Sequence, residues 1–390
     1  MSSYISSNAN RFYTALESAY GNVAAITASN RIPALKLTIK QQREVVTRKD
    51  KTGTRTFAGL PAGGRLKTNF ELQTYMTSWN KSAATPGYGP LFQAAIGGAP
   101  QQFAGGTVAS CTADGKLGFS AAHGLSAGQA VASSGEIRFV AAIIDANNVQ
   151  LNVPFTTQPA AGATLGAAVT YGPATELPSV SVFDFWSPAT AVQRLLCGAA
   201  VDQLEIAING DYHEFHFSGV GQDVVDSSSF SASAGELQSF PQEPVLSGFD
   251  YSIVPGNMGQ AWLGTSPSQF FTVTNASVVL KNNLDTRTKE FGSSLPRAIS
   301  PGQREVTASF DLFAQTDAAT AALYQAARQQ SPISVMFQLG EVTGQLMGVY
   351  LKSVIPEVPE FDDGKARLQW SFRPSRGQGT VDDEIVVAFA

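Results

Sequence analysis

Charged side chains are scarce in this chain, and their balance is slightly acidic. Asp, Glu, Lys and Arg make up only 15% of the 390 residues, below the usual quarter, and the formal net charge is −5. A protein that grips DNA through its phosphates needs an excess of Lys and Arg, so this composition argues against tight nucleic-acid binding. The 36 glycines and 24 phenylalanines favour a strand-rich fold whose low-charge flanks are covered by neighbouring molecules.

Cysteines are few and long apolar runs are absent. The two cysteines, Cys111 and Cys197, do not suffice for a disulfide framework. No stretch reaches the roughly eighteen consecutive apolar residues of a membrane-spanning helix. The N-terminal residues also lack the apolar region of a secretory signal. We therefore expect a protein that is made and folded in a cytoplasm and has no membrane partner.

Signatures of catalysis are missing as well. The sequence has no GxSxG, no phosphate-binding P-loop and no Cys/His cluster. The run Asp382-Asp383-Glu384 has the charge to attract a divalent cation, although a solvated acidic run is the plainer interpretation. His123 lies in a turn-like segment with no partner nucleophile or base. We predict that the protein is not an enzyme and uses no cofactor or metal.

Two of the three histidines occur in the segment "INGDYHEFHF" at residues 208–217. The preceding residues alternate between apolar and polar, which is the period of a strand. Asn209-Gly210 then predicts a tight hairpin turn. On the second strand His213 and His216 have an odd separation and point in opposite directions, so they cannot share a metal. We predict that His213 faces the core and that His216 is a surface partner of Glu214.

The chain contains an internal repeat, in which five segments recur in the same order. Each copy reads as strand, long loop, strand, short helix, strand and hairpin. The matched pairs are 37–49 with 278–290, 60–75 with 299–314, 90–98 with 322–330, 178–185 with 332–339, and 195–219 with 345–374. The apolar faces of the two hairpins are predicted to be core. Their residues are Leu204, Ile206, Phe215 and Phe217 in the first copy, and Leu368, Trp370 and Phe372 in the second.

The two copies differ by one large insertion. Ala95 and Val180 are 85 positions apart, whereas Ala327 and Ile333 in the second copy are 6 apart. The extra residues show short alternating runs between Gly, Asp-Gly and Asn-Asn turns, typical of a small all-β domain. Both flanks are rich in small residues, so we expect this module to project outward and to be dispensable for tube formation.

These patterns divide the chain into five parts and predict a mainly β fold. Two tandem β-sandwich or barrel modules, each with a short flanking helix, carry an inserted small all-β domain. The predicted parts are an N-terminal arm with one short helix (1–31), a first module (32–98 plus 173–225), the inserted domain (99–172), a connector (226–271), and a second module with a C-terminal tail (272–390).

Several segments resemble a phage tail tube protein. They are "NRFYTALESAYG", "GAAVDQLEIAINGDYHEFHFSGVG", "NNLDTRTKEFGSSLPRAISPGQREVTASFDLF" and "LQWSFRPSRGQGTVDDEIVVAFA", and the resemblance extends over most of the chain outside 99–172. The resemblance implies a virion protein of a long non-contractile tail, whose inner strands join those of neighbours around a lumen for DNA. It also implies rings of three duplicated chains with pseudo-sixfold symmetry.

The resemblance further implies partners and contact loops. The partners are other copies of the chain, a tape measure protein, a tail terminator and distal tail proteins, with phage DNA passing through the lumen without specific binding. The long loop of each copy, 45–65 and 287–303, is expected to contact the next ring. The charged residues assigned to that contact are Arg48, Lys49, Lys51, Arg55, Arg287, Lys289, Glu290 and Arg297.

Two non-enzymatic alternatives remain open from the sequence. A tail decoration or receptor-binding protein would need clustered exposed aromatic residues, whereas the four tryptophans are scattered along the chain. A tube protein of a contractile tail or secretion system would have a sheath around it, and an external module of about eighty residues would obstruct that sheath.

Overall fold

A computed structural model describes residues 4–44, 50–51, 53–56, 59, 64–79, 83–246, 251–364 and 366–390. The predicted mainly β class is confirmed: large antiparallel sheets dominate, and the described residues contain only two α-helices. The residues before the insertion form β1 (Asn10–Leu16), β2 (Arg31–Ile32), β3 (Ala34–Arg43), β4 (Leu66–Tyr75) and α1 (Gly89–Ile96).

The following residues continue the sheets. Residues 99–172 form β5 (Gln101–Phe103), β6 (Gly106–Cys111), β7 (Lys116–Phe119), β8 (Ala130–Ser133), β9 (Glu136–Ile143), β10 (Asn148–Leu151), β11 (Thr164–Leu165) and β12 (Ala168–Tyr171). After them come β13 (Val180–Trp186), β14 (Arg194–Ile208), β15 (Glu214–Gly221) and β16 (Asp223–Asp226). Single turns of 3-10 helix lie at Ala28–Asn30 and Ala234–Glu236.

The C-terminal part holds the remaining strands and the second helix. They are β17 (Gly259–Gly264), β18 (Ser268–Gln269), β19 (Val273–Lys281), β20 (Asp285–Thr286), β21 (Ile299–Ser300), β22 (Glu305–Phe313), α2 (Ala318–Gln329), β23 (Ile333–Leu339), β24 (Met347–Ile355), β25 (Glu360–Asp362), β26 (Gln369–Gly377) and β27 (Val386–Phe389). Helix α2 begins where the Asp317 carboxylate accepts the backbone N–H of Thr320, and it ends at Gln330, which has a positive φ of 50°.

Eight strands form one continuous antiparallel layer, which we call the central sheet. Its order is β3-β4-β15-β14-β19-β22-β26-β25. Residues on one face alternate with residues on the other. The inward face covers a large apolar core that also contains α1 and part of α2. The outward face carries the polar positions of the same strands.

Two further groups of strands pair with the strands of the central sheet. The first half of β14 also pairs with β13, which in turn pairs with β1. Strand β24 pairs with β23, which pairs with β17. The N-terminal arm and the connector therefore each supply a strand. The predicted short helix in residues 1–31 is wrong, because Asn10–Leu16 pairs along its whole length with β13 and is buried there.

The inserted residues have their own small sheet. Six strands in the order β11-β6-β7-β10-β9-β8 enclose a separate core that includes Val108, Leu117 and Phe155. The outer strands of the insertion behave differently: β5 and β12 join the large sheet, where β12 pairs with β27. The flanks of the insertion are thus fixed by backbone hydrogen bonds, in contrast to the flexible flanks that their small residues suggested.

The insertion also shares a core with the C-terminal part. Phe139 stacks on Tyr350 with 5.4 Å between ring centroids, and both lie in a cluster with Trp262 and Met336. Arg138 is completely buried at this contact. It follows that the insertion is a packed part of the protein as well as a domain with a core of its own.

Candidate assembly surface

The inward face of the central sheet contains most of the predicted hairpin core. Leu204, Ile206, Phe215 and Phe217 are buried, as is Phe372 in the second hairpin. Two residues of the second hairpin differ from the prediction: Leu368 is 37% exposed, and Trp370 is half-buried.

The second hairpin leaves more of its apolar residues exposed than the first, because fewer of them lie within paired strands. Strand β26 begins at Gln369, so Leu368 precedes it, and the partner strand β25 is only three residues long. Trp370 packs against two other aromatic rings. It stacks on Phe361 at 5.2 Å and lies 5.4 Å from Tyr324.

The first hairpin does not have the predicted two-residue turn. Strand β14 ends at Ile208 and β15 begins at Glu214, so five residues connect them, and Asn209 has a positive φ of 63°. The segment 251–258 binds this wider loop through two contacts. His213 Nε2 donates to the carbonyl of Met258 at 3.0 Å, and Tyr212 forms a bridge with Pro255.

Both predictions for the histidine environments are confirmed. His213 is buried, and burial lowers its pKa below the ordinary value, against a smaller opposing effect of its hydrogen bond to Met258. His216 lies 3.0 Å from the Glu214 carboxylate and 3.2 Å from the Gln73 amide. Among the described residues, no group of three or more His, Cys, Asp or Glu side chains is arranged to hold a metal ion.

The outward face of the central sheet is polar and nearly balanced in charge. Residues directly opposite each other in a ladder share a face, so the register assigns each side chain to one side. The charged residues of the outward face are Lys36, Lys40, Lys67, Lys281, Arg373 and Arg376, with Glu71, Glu205, Glu214, Glu305, Asp311, Glu360 and Asp362. Six cations and seven carboxylates give this face a net charge of −1 when His216 is neutral.

The central sheet ends at two unpaired edges. Strand β3 pairs only with β4, and β25 pairs only with β26, within the described part of the chain. All three residues of β25 are exposed, including Phe361 at 55%. Unpaired strand edges present free N–H and C=O groups, which are a template for adding another strand.

The second long loop contacts the start of β4 at one end of the central sheet. Leu66, at the end of the first loop, donates its N–H to the carbonyl of Ser294 in the second at 2.8 Å. Glu290 forms an ion pair with Arg287, and Arg297 lies 4.0 Å from the same carboxylate. Phe291, between them, is 100% exposed.

The remaining predicted loop residues are of two kinds. Lys51, Arg55 and Lys289 are exposed. Arg48 and Lys49 lie outside the described residues.

The acidic run near the C-terminus is paired with basic residues. Asp382 and Glu384 contact Arg304 at 3.1 Å and 2.7 Å. Asp383 contacts Lys352 at 3.0 Å. The run is therefore neither a bare solvated tail nor an unpaired cluster of carboxylates. It fixes the end of the chain against β22 and β24.

Sequence reasoning missed the buried arginine of the insertion. Arg138 contacts Glu136 and donates to Gln338 at 3.1 Å and to Gln260 at 3.0 Å. Its guanidinium also lies 5.2 Å from the centre of the Trp262 ring. Burial lowers the pKa of Arg138 to about 10, which leaves it charged at neutral pH. The available signal was a Glu and an Arg two residues apart, on one face of the apolar strand "EIRFVAAI".

Within the described residues, no helix has the length and apolar character needed to cross a membrane. In comparisons with known proteins, no family model and no curated protein matches the chain.

Proposed function

We propose that this chain is a structural virion protein that polymerises into stacked rings and forms the tail tube through which phage DNA passes. One observation carries the proposal. A single sheet runs through both halves of the chain by the pairing of β14 with β19, and it stops at two exposed edges. Such a subunit removes its open edges by joining other subunits, and heterologous joints of this kind form a ring when the rotation between subunits closes.

The tandem organisation is part of this proposal and is supported by strand order. In the first half the pairing order is β1-β13-β14-β15-β4-β3, and in the second it is β17-β23-β24-β26-β22-β19. Each half places one helix between its corresponding strands. A register shift occurs between Val180 and Val182 in one half and between Ile333 and Val335 in the other. Duplication of one module accounts for both similarities.

A ring of three chains is supported by the diameter that its strands would give. Eight central-sheet strands in each of three chains give 24 strands. With strands about 4.8 Å apart and tilted by about 40°, a 24-stranded barrel has a backbone diameter of roughly 48 Å. Side chains narrow that diameter but leave a lumen wider than a DNA duplex. A ring of six chains would have twice this diameter, which is more than a DNA duplex requires.

The outward face of the central sheet suits the lining of such a lumen. Its six cations and seven carboxylates nearly cancel, so the face as a whole has no excess of positive charge to hold phosphates. Affinity for DNA rises with the number of phosphates that Lys and Arg neutralise, and a duplex moves freely only where that number is small. The inward face packs on the apolar core and is not available for this role.

The remaining parts of the proposal rest on the resemblance to tail tube proteins. We place the protein in the virion tail after synthesis in the host cytoplasm, with no catalytic role. Its partners are other copies of the chain, a tape measure protein, a tail terminator and distal tail proteins. The two long loops contact the next ring.

Electron microscopy of purified protein, combined with native mass spectrometry, tests the proposal. We expect hollow tubes or rings, and a smallest closed species of three chains. Discrete monomers at all concentrations and salt conditions, with or without purified tail-tip proteins as initiators, would contradict the tube. A ring of six chains would contradict the tandem organisation while leaving the tube in place.

A further inference from the structure

The chain already contains one example of the joint that the proposed function requires. Residues 203–208 of β14 pair antiparallel with residues 276–281 of β19. Leu204 lies opposite Leu280, and both are buried on the inward face. Glu205 of β14 and Lys281 of β19 lie on the outward face. The acidic residue is on the hairpin strand and the basic residue is on the first strand of the next half.

Strand β25 occupies the position of the β14 edge in the second half. Phe217 lies between Leu204 and Leu72 in the first half. Trp370 lies between Phe361 and Leu312 in the second. Phe361 therefore corresponds to Leu204, but it has no strand on its outer side among the described residues.

Strand β3 occupies the position of β19 in the first half. Strand β3 pairs with β4 across Phe70-Glu71-Leu72, and β19 pairs with β22 across Phe310-Asp311-Leu312. The outer side of β19 is covered by β14, whereas the outer side of β3 is open within the described chain. The open edges of β25 and β3 therefore correspond to β14 and β19, the two strands that pair with each other inside the chain.

The two open edges have complementary charge. Lys36, Lys40 and Arg43 make β3 basic, and all three are exposed or half-exposed. Glu360 and Asp362 make β25 acidic. Like charges oppose pairing of β3 with β3 or of β25 with β25, and opposite charges favour the mixed joint. In the internal joint, too, the acidic residue is on the hairpin strand and the basic residue is on the first strand of the other half.

We propose that β25 of one copy adds antiparallel to β3 of a second copy and so repeats the β14–β19 joint between chains. This inference rests on the proposed function and identifies the surface by which its rings close. In the register of the β14–β19 joint, Phe361 lies on the inward face opposite Arg43, which holds the place of Leu280. A shift by two or four residues places it opposite Gln41 or Ile39 on the same face. Glu360 and Asp362 lie on the outward face, which also carries Lys36 and Lys40.

Cysteine crosslinking tests which faces meet. In the full chain carrying Cys111→Ser, with the buried Cys197 retained, we pair Phe361→Cys with Cys at Ile39, Gln41 or Arg43. The control pairs Phe361→Cys with Lys40→Cys, whose side chain points to the other face. Mild oxidation should give covalent dimers and trimers with at least one of the three same-face pairs, and none with the control.

Charge reversal tests the chemistry of the joint. The variants Glu360→Lys/Asp362→Lys and Lys36→Glu/Lys40→Glu should each keep the melting temperature of the wild type, because all four side chains are solvent-accessible. Each should weaken association by at least about a hundred-fold, since like charges in a joint cost several kcal/mol. The four changes combined in one chain restore opposite charges and should restore assembly.

The outcomes separate this inference from the proposed function. Rings or tubes that persist in both charge-reversal variants and give no same-face crosslink would overturn the β25–β3 joint but leave the tube intact. A wild-type chain that never assembles and gives no crosslink would overturn both. Crosslinking by the Lys40→Cys control as strongly as by the same-face pairs would also overturn the proposed pairing.

Discussion

The contact between the insertion and the C-terminal part can be tested by replacing Arg138 with Met. Met fills much of the volume of the arginine stem but removes the charge and every N–H donor. Arg138 is completely buried, and its guanidinium contacts Glu136, Gln338 and Gln260, together with the carbonyls of Ile137 and Pro154. The substitution therefore removes one donor from each of these acceptors and leaves the buried Glu136 carboxylate without a cation.

The size of the effect follows from the burial of Glu136. This carboxylate is 6% exposed, so it cannot regain water when the guanidinium is lost. Removing one partner of a buried ion pair costs about 3–5 kcal/mol, whereas an exposed pair contributes about 0–1 kcal/mol. Thr156 still donates to Glu136 through its backbone N–H at 2.8 Å, so we expect the lower end, about 3 kcal/mol.

Equilibrium urea unfolding, followed by tryptophan fluorescence, measures the loss. Lys352→Met is the matched control, because Lys352 pairs with Asp383 at the surface and is 61% exposed. Its free energy of unfolding should fall by less than about 1 kcal/mol. The double variant Arg138→Met/Glu136→Gln removes the stranded charge and should recover part of the loss. An Arg138→Met protein as stable as the Lys352→Met protein would refute the reasoning.

Three further predictions concern other parts of the chain. The folded protein lowers the pKa of His213 below 6.5, so protonation favours the unfolded state: stability should fall as pH drops below about 6.5, by at most about 1.4 kcal/mol per pH unit. Urea titrations of His213→Phe should show a flatter pH dependence than those of the wild type. Phe291→Ser should leave unfolding unchanged but shorten tubes in micrographs, whereas Val381→Ser, at another highly exposed apolar site, should change neither unfolding nor tube length. Replacing residues 104–167 with a short linker should lower the melting temperature, because it uncovers Trp262 and Met336; an unchanged melting temperature would show that this packing contributes little to stability.

Alternation and turn residues were sufficient to predict the strands that have one apolar face. Leu204, Ile206, Phe215 and Phe217 alternate with polar residues, and all four are buried. Both helices also lie within a few residues of their predicted positions, because Pro90 and Gly97 delimit α1 and Asp317 caps α2. These are local signals, and local physics is enough to fix them.

Contacts made between distant segments were harder to predict. Strand β1 has buried residues on both faces and therefore shows no clean alternation of apolar and polar residues. The sequence pattern for this reason predicted an N-terminal arm there and no strand. The predicted turn at Asn209-Gly210 failed because residues 255–258, forty-five positions away, bind its loop.

The internal repeat illustrates how sequence identity and structural register can diverge. Matching letters pair Leu196-Cys197-Gly198 with Leu346-Met347-Gly348. The ladders give a different correspondence: Val182 lies opposite Leu196, and Val335 lies opposite Leu351, on the same side of a register shift. Alternating apolar strands offer many similar local matches, and the position of an extra residue in a ladder is a stronger marker. By that marker Leu196 corresponds to Leu351. The same reasoning places Phe361 at the position of Leu204, and this correspondence is the basis of the proposed joint at the open edge of β25.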